Sequence, residues 1–255
     1  MDPAPLALLW DVDGTLAETE LNGHRVAFNE AFRAAELPWH WDEATYLQLL
    51  QVSGGRERLS GWLTTMEGQA PDAARLDALV RCKQTCYSAL VRRGALPLRD
   101  GVADLIREAA AAGLAQVIVT TSSRAAVQGL VEGSLGTLAE AFSFWVCGDD
   151  VAAKKPDPQS YRLAVERLGL PPRQLLAFED SANGVAAAEA AGLPCLLTLS
   201  SLSRHEPAES LAAARAVVEG LATADGGGMV QVHRGPLCPQ PRITLAWLQE
   251  LCAGP

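Results

Sequence analysis

Five short apolar runs, Leu6–Trp10, Gln116–Val119, Phe144–Cys147, Leu175–Phe178 and Pro194–Leu197, each give way to polar residues. A strand with one wet face alternates apolar and polar positions, whereas a strand covered on both faces reads as a continuous apolar run. These five therefore read as strands buried on both sides. Between them lie alanine-rich stretches with helical spacing, Val102–Ala112, Ser160–Leu168 and Val185–Ala191, the last two closed by Gly169 and Gly192. Strand–helix alternation of this kind implies an α/β fold with a parallel sheet.

One region breaks the alternation. From about Glu20 to Arg93 there are only helical patterns, interrupted at Leu37-Pro38, Gly54-Gly55 and 68–71. This reads as a helical insertion, with junctions at 17–19 and 94–101, the second rich in turn residues. The expected domains are a core of residues 1–18 and 95–255 and an inserted domain of residues 19–94. Asp225-Gly226-Gly227-Gly228 reads as a loop ahead of a last amphipathic helix around 243–252. The stretch after Ser203, including Gly235–Pro241, carries no pattern that points to chemistry.

A formal charge of −9 argues against nucleic acid and against an anionic membrane surface, both of which need a basic stripe. Anionic substrates must then be drawn by a bound cation and a few placed basic groups. The six cysteines show no zinc spacing and read as reduced thiols. No apolar run approaches the roughly 18 residues of a membrane span, and the N-terminus has no signal-peptide pattern. The expectation is a cytoplasmic monomer, or one of the chloroplast stroma if a transit segment has been removed.

The chemistry-bearing residues gather where apolar runs end. Asp11 and Asp13, in Trp10-Asp11-Val12-Asp13-Gly14-Thr15, leave the sheet at its carboxyl edge, the edge at which open α/β sheets bind ligands. One carboxylate can attack phosphorus and the other can move a proton, with Asp11 the better nucleophile and Asp13 the acid/base. Thr120, Thr121, Ser122 and Ser123 form a hydroxyl cluster after the second run, suited to phosphoryl oxygens although also ordinary at a helix start. The chain has three lysines, Lys83, Lys154 and Lys155, and two of them stand together before Pro156. A cation there can neutralise an attacking carboxylate and a transferring phosphoryl group. Glu179 and Asp180 follow the fourth run, in Glu179-Asp180-Ser181-Ala182-Asn183-Gly184.

In order and position, these four segments resemble the signature motifs of the haloacid dehalogenase-like superfamily. The resemblance implies a Rossmann-like core with an inserted helical type 1 cap, and an Mg²⁺-dependent phosphatase working through an aspartyl-phosphate. It implies that Thr121 binds the phosphate, with Ser122 as a backbone donor, and that Lys155 rather than Lys154 is the functional lysine. Asp11, the Asp13 carbonyl, Glu179 and Asp180 would hold the Mg²⁺, whose octahedral shell prefers such oxygens.

Glu18 stands at the first junction, and the insertion carries Gly23-His24-Arg25 and Ser53-Gly54-Gly55-Arg56-Glu57-Arg58, with Trp39-His40-Trp41-Asp42 between them. These resemble the CbbY-like branch, related to β-phosphoglucomutase, whose substrate class is xylulose 1,5-bisphosphate. The implied partner is a phosphorylated sugar, contacted by Glu18, His24, Arg25, Gly55, Arg56 and Arg58 and, from the core, by Ser122, Ser123 and Arg124. Each of these cap residues reads equally well as a solvated or packed helix residue. A phosphomutase, a general sugar phosphatase and a non-catalytic metabolite-binding protein stay open, although Thr15 favours a phosphatase because the mutase has Val there.

Overall fold

The computed structural model describes residues 7–50, 52 and 54–253, so Leu6 and Ser53 lie outside the described residues. Contacts between Cα atoms divide the chain into a unit of residues 1–18 and 97–255 and a unit of residues 19–96.

The larger unit is built on a sheet of seven strands among the described residues: β1 (Ala7–Trp10), β2 (Ala115–Val119), β3 (Phe142–Val146), β4 (Leu175–Glu179), β5 (Cys195–Thr198), β6 (Ala216–Val218) and β7 (Val232–Arg234). Their order is β3-β2-β1-β4-β5-β6-β7, all neighbours parallel except β6 and β7. All of β1, β4 and β5 is buried, as continuous apolar runs require.

Successive side chains point to opposite faces. Leu9, Val117, Ala177 and Leu197 pack on one face with Tyr161, Ala164, Val185 and Ala188 from two helices, Gln159–Leu168 and Ala182–Ala190. On the other face Trp10 stacks on Phe178, with ring centroids 4.1 Å apart, and its indole N–H donates to Gln116 Oε1 at 3.1 Å. The Gln116 amide in turn donates to the Ile106 carbonyl at 2.9 Å, which matches the polar groups buried between the sheet and the helix Val102–Ala111.

The segment that carries no sequence signature completes this unit. β6 extends the parallel sheet, β7 caps it in the antiparallel sense, and the terminal helix Leu245–Ala253 rests on Val102–Ala111, where the backbone N–H of Leu245 donates to Glu108 Oε1 at 3.1 Å. β6 and β7 have three residues each, too short for a periodic signal.

The smaller unit is helical, with α-helices Arg25–Ala34, Glu43–Leu49, Gly55–Glu67 and Ala73–Arg92. Asp42 and Asp72 cap the second and fourth by accepting from the N–H groups of Thr45 and Arg75. Its core is Phe28, Phe32, Trp41, Tyr46, Leu59 and Leu63, so Trp41 is a packing residue, and Trp39 sets its ring edge-on to Phe32. Among the described residues no helix is long and apolar enough to cross a membrane.

Candidate active site

β1 pairs with β2 on one side and β4 on the other, so the chain reverses its direction of travel across the sheet beside β1. Such a switch point opens a crevice at the carboxyl ends of the strands. The register Trp10↔Phe178 places Asp11 and Glu179 level at that edge, and Asp11 N–H donates to the Phe178 carbonyl at 3.0 Å. Asp180 follows directly.

Asp11, Glu179 and Asp180 are all buried and offer carboxylate oxygens within 4.8 Å of one another. The Lys155 ammonium enters among them, donating to Asp11 Oδ1 at 2.7 Å, Glu179 Oε1 at 2.6 Å and the Val119 carbonyl at 2.7 Å. The Tyr161 hydroxyl adds a second bond to Glu179 Oε1 at 2.6 Å. Lys154 is exposed, and the peptide between Lys155 and Pro156 is cis.

Two glycines make this density possible. A Cβ on Gly14, whose φ is +77°, would lie 2.0 Å from Asp180 Oδ2, and one on Gly184 would lie 1.8 Å from Glu179 Oε2.

One ammonium cannot balance three buried carboxylates. Burial, with the charges of Glu179 and Asp13 adding to it against Lys155, pushes the Asp11 carboxyl up to about 8. Burial and the charge of Asp11 likewise raise Asp180 well above the ordinary carboxylate range, against a hydrogen bond from Ser200. Lys155 is held charged: burial alone would lower its pKa, and the carboxylates of Asp11 and Glu179 outweigh that. Clustered hard oxygens, an excess of negative charge and raised carboxyl pKa values together fit a small divalent cation.

Asp13 stands beside this cluster, its Oδ2 accepting from the Ser122 hydroxyl at 2.5 Å. Ser122 N–H is engaged by Thr120 Oγ1 at 3.1 Å, a turn that leaves Thr121 half-buried at the strand end. Ser123 caps the helix Arg124–Leu130 by accepting from Ala126 N–H, and Arg124 pairs with Asp150 at 2.6 Å. Glu18 accepts from the Ser201 hydroxyl at 2.8 Å, just past β5.

The other site residues read from the sequence lie in the helical unit. His24 Nδ1 sits 2.9 Å from the Lys83 ammonium, and its ring stacks on Tyr87 with centroids 4.1 Å apart. Burial, then the charges of Lys83 and Arg58, lower its pKa well below the usual histidine value. A lysine only donates, so Nδ1 accepts and Nε2 carries the proton. Arg25 donates to the carbonyls of Leu21 and Trp41 and to Glu43. Arg58 is buried and donates to Tyr46 Oη at 2.9 Å and to the Leu49 and Val52 carbonyls. Gly55 begins the helix Gly55–Glu67 over Phe28, and Arg56, 43% exposed, pairs with Asp77.

Three contributors carry no sequence signal strong enough to assign them: Tyr161 on Glu179, Lys83 on His24, and Arg99, which binds the Gly14 carbonyl.

The haloacid dehalogenase-like hydrolase family model matches residues 6–192, which span β1 to β4 and every residue of the carboxylate cluster. The chain belongs to this family. It is 44% identical over 201 residues to CbbY of Cereibacter sphaeroides, covering 78% of this chain and 86% of the relative. A phosphoglycolate phosphatase of Shigella boydii is 31% identical over 199 residues, covering 72% and 77%. Among solved structures, that of CbbY from Rhodobacter sphaeroides in complex with xylulose-(1,5)bisphosphate superposes with a TM-score of 0.72 at 40% identity, covering 85% of this chain and 94% of that one. Within the matched span, Asp11, Lys155 and Glu179 meet at the strand ends, with Asp180 beside them.

Proposed function

We propose that this enzyme is an Mg²⁺-dependent phosphatase acting on a ketose bisphosphate, with xylulose 1,5-bisphosphate cleaved to xylulose 5-phosphate as the leading reaction. The observation that carries the proposal is the Lys155 ammonium held between Asp11 and Glu179, with Asp180 alongside and Asp13 one residue beyond the nucleophile's neighbour. CbbY relatives at 40–44% identity, one of them solved with that bisphosphate, support the choice of substrate.

A carboxylate oxygen of Asp11 attacks phosphorus, and the bond from phosphorus to the sugar oxygen breaks. Asp13 delivers its proton to that oxygen as it leaves. Asp13, now a carboxylate, takes a proton from water as water attacks the phosphorus of the aspartyl-phosphate, and the bond to Asp11 breaks to release orthophosphate. Lys155 holds Asp11 in place and offsets the charge gathering on the phosphoryl oxygens, which Thr121 also binds. Asp11, the Asp13 carbonyl, Glu179 and Asp180 would hold the Mg²⁺, which would supply the charge neutralisation that brings two anions together.

A bisphosphate needs a second anion grip. Arg56 is assigned to the remote phosphate, because its guanidinium is 43% exposed and only ion-paired at the surface, whereas Arg58 is buried on backbone carbonyls. His24, with Nε2–H as donor, and Glu18 are assigned to sugar hydroxyls.

The test is phosphate release from a panel of phosphorylated sugars with Mg²⁺ and with EDTA, using wild type and Arg56→Ala. The bisphosphate should be preferred, and Arg56→Ala should penalise it by roughly 2–5 kcal/mol in kcat/KM while sparing a small monophosphate. Equal loss on both, or a wild-type preference for glucose 6-phosphate or β-glucose 1-phosphate, would defeat the substrate assignment.

A further inference from the structure

Arg99 lies just past Leu98, which bridges in antiparallel fashion to Ala17, and Ala17 in turn bridges to Asp13. Its backbone N–H donates to the Leu16 carbonyl at 2.9 Å. Its guanidinium reaches three acceptors in the same unit: the Gly14 carbonyl, Thr198 Oγ1 at 2.9 Å and the Leu199 carbonyl at 2.5 Å. One side chain thus fastens the loop after β1 to the end of β5.

The fastened atom matters because of where it sits. Gly14 follows the acid/base Asp13, has φ of +77° and lies against Asp180 with no room for a Cβ. A glycine has no side chain with which to hold its own backbone direction, so the peptide after it must be fixed from outside. The Gly14 N–H is fixed by the Ala17 carbonyl at 2.8 Å, and its carbonyl is fixed by Arg99. All three acceptors on the guanidinium are neutral, so its donors match backbone and hydroxyl groups rather than a carboxylate. That arrangement suits a fixed fork that sets geometry.

We propose that Arg99 is a positioning residue for acid–base catalysis, clamping the Gly14 peptide to β5 so that the Asp13 carboxyl is aimed at the leaving-group oxygen. The proposal rests on the aspartyl-phosphate reading above. It has a signature that simple support of the fold lacks. A sugar alkoxide leaves only as it is protonated, so its departure depends on where Asp13 points. A nitrophenolate is stable without a proton, and its departure does not depend on Asp13.

The experiment follows leaving-group release in the first turnover, by rapid quench at saturating Mg²⁺, from a sugar phosphate and from p-nitrophenyl phosphate. Arg99→Met should slow sugar release about tenfold to a hundredfold, while the nitrophenolate burst stays within about threefold of wild type. Thr198→Val, which removes one anchor of the same guanidinium, should slow sugar release in the same selective way but less. Arg99→Lys, which keeps a donor for one acceptor, should recover part of the loss. Equal slowing with both leaving groups, or unchanged sugar release, overturns the proposal. If Arg99→Met does not fold by circular dichroism, the selectivity of Thr198→Val decides. A wild-type enzyme that releases both products but carries no phosphate label on Asp11 overturns the aspartyl-phosphate reading itself, a result distinct from loss of selectivity in the variants.

Discussion

Replacing Lys155 with methionine removes the one ammonium that touches both Asp11 and Glu179. The lysine side chain is 4% exposed and its two partners 8% and 1%, so water cannot take its place. Breaking a buried ion pair by deleting one partner costs about 3–5 kcal/mol, because the remaining charge is stranded. Protonation limits that cost. In the metal-free wild type Asp11 already binds its proton up to about 8, far above an unfolded aspartate. A carboxyl raised in this way lends stability that is complete below the unfolded value near 4 and is lost as pH rises through about 8. Without Lys155 the carboxyl should rise further, so the variant is penalised most at alkaline pH. Urea unfolding in EDTA should therefore show a loss of about 3–5 kcal/mol near pH 8, shrinking to about 1–2 kcal/mol near pH 5. Mg²⁺ should restore more stability to the variant than to wild type near pH 8, because the divalent ion meets two carboxylates no longer paired. Its kcat should still fall by about 10²–10³, since the cation on the phosphoryl group is gone. A loss of stability below about 1 kcal/mol, or one that does not change with pH, would refute the charge balance described for this site.

Asp11→Asn should reduce turnover below about a thousandth of wild type and leave no phosphate label on acid-quenched enzyme, since an amide cannot form the acyl-phosphate. Glu179→Ala combined with Asp180→Ala should raise the Mg²⁺ concentration needed for half-maximal rate, and titration calorimetry should show weakened binding; unchanged metal dependence would remove the site. Gly14→Ala, which forces a Cβ to within 2.0 Å of Asp180 Oδ2 at a φ of +77°, should lower stability by about 1–3 kcal/mol and weaken Mg²⁺ binding as well. In wild type, Mg²⁺ binding should release protons near pH 7 because the ion displaces the proton from Asp11, and calorimetry in buffers of different ionisation enthalpy would detect it.

The sequence by itself determined the central architecture. Apolar runs such as Leu175–Phe178 and Leu6–Trp10 can be read because a strand buried on both faces carries mostly apolar side chains. The aspartates at 11 and 13 and the acidic pair at 179 and 180 are legible because Asp11 and Glu179 follow such runs directly and their companions stand within two residues, and ligand sites at a sheet edge are tied to strand ends. The helical insertion was legible as an interruption of that rhythm. Tertiary structure alone decided what links residues far apart in the chain. Lys155 reaches Asp11 across 144 positions, Tyr161 shares an oxygen of Glu179 with it, and Arg99 holds Gly14 across 85 positions. None of these pairings has a period or a spacing, because the loops that deliver them are set by how β1, β4 and β5 lie side by side. The same holds for β6, β7 and the helix Leu245–Ala253, where three-residue strands gain stability from the sheet they extend rather than from a local pattern. A periodic signal exists only where one element repeats the same environment along its length, and a catalytic site brings together single residues from several elements, each in an environment of its own.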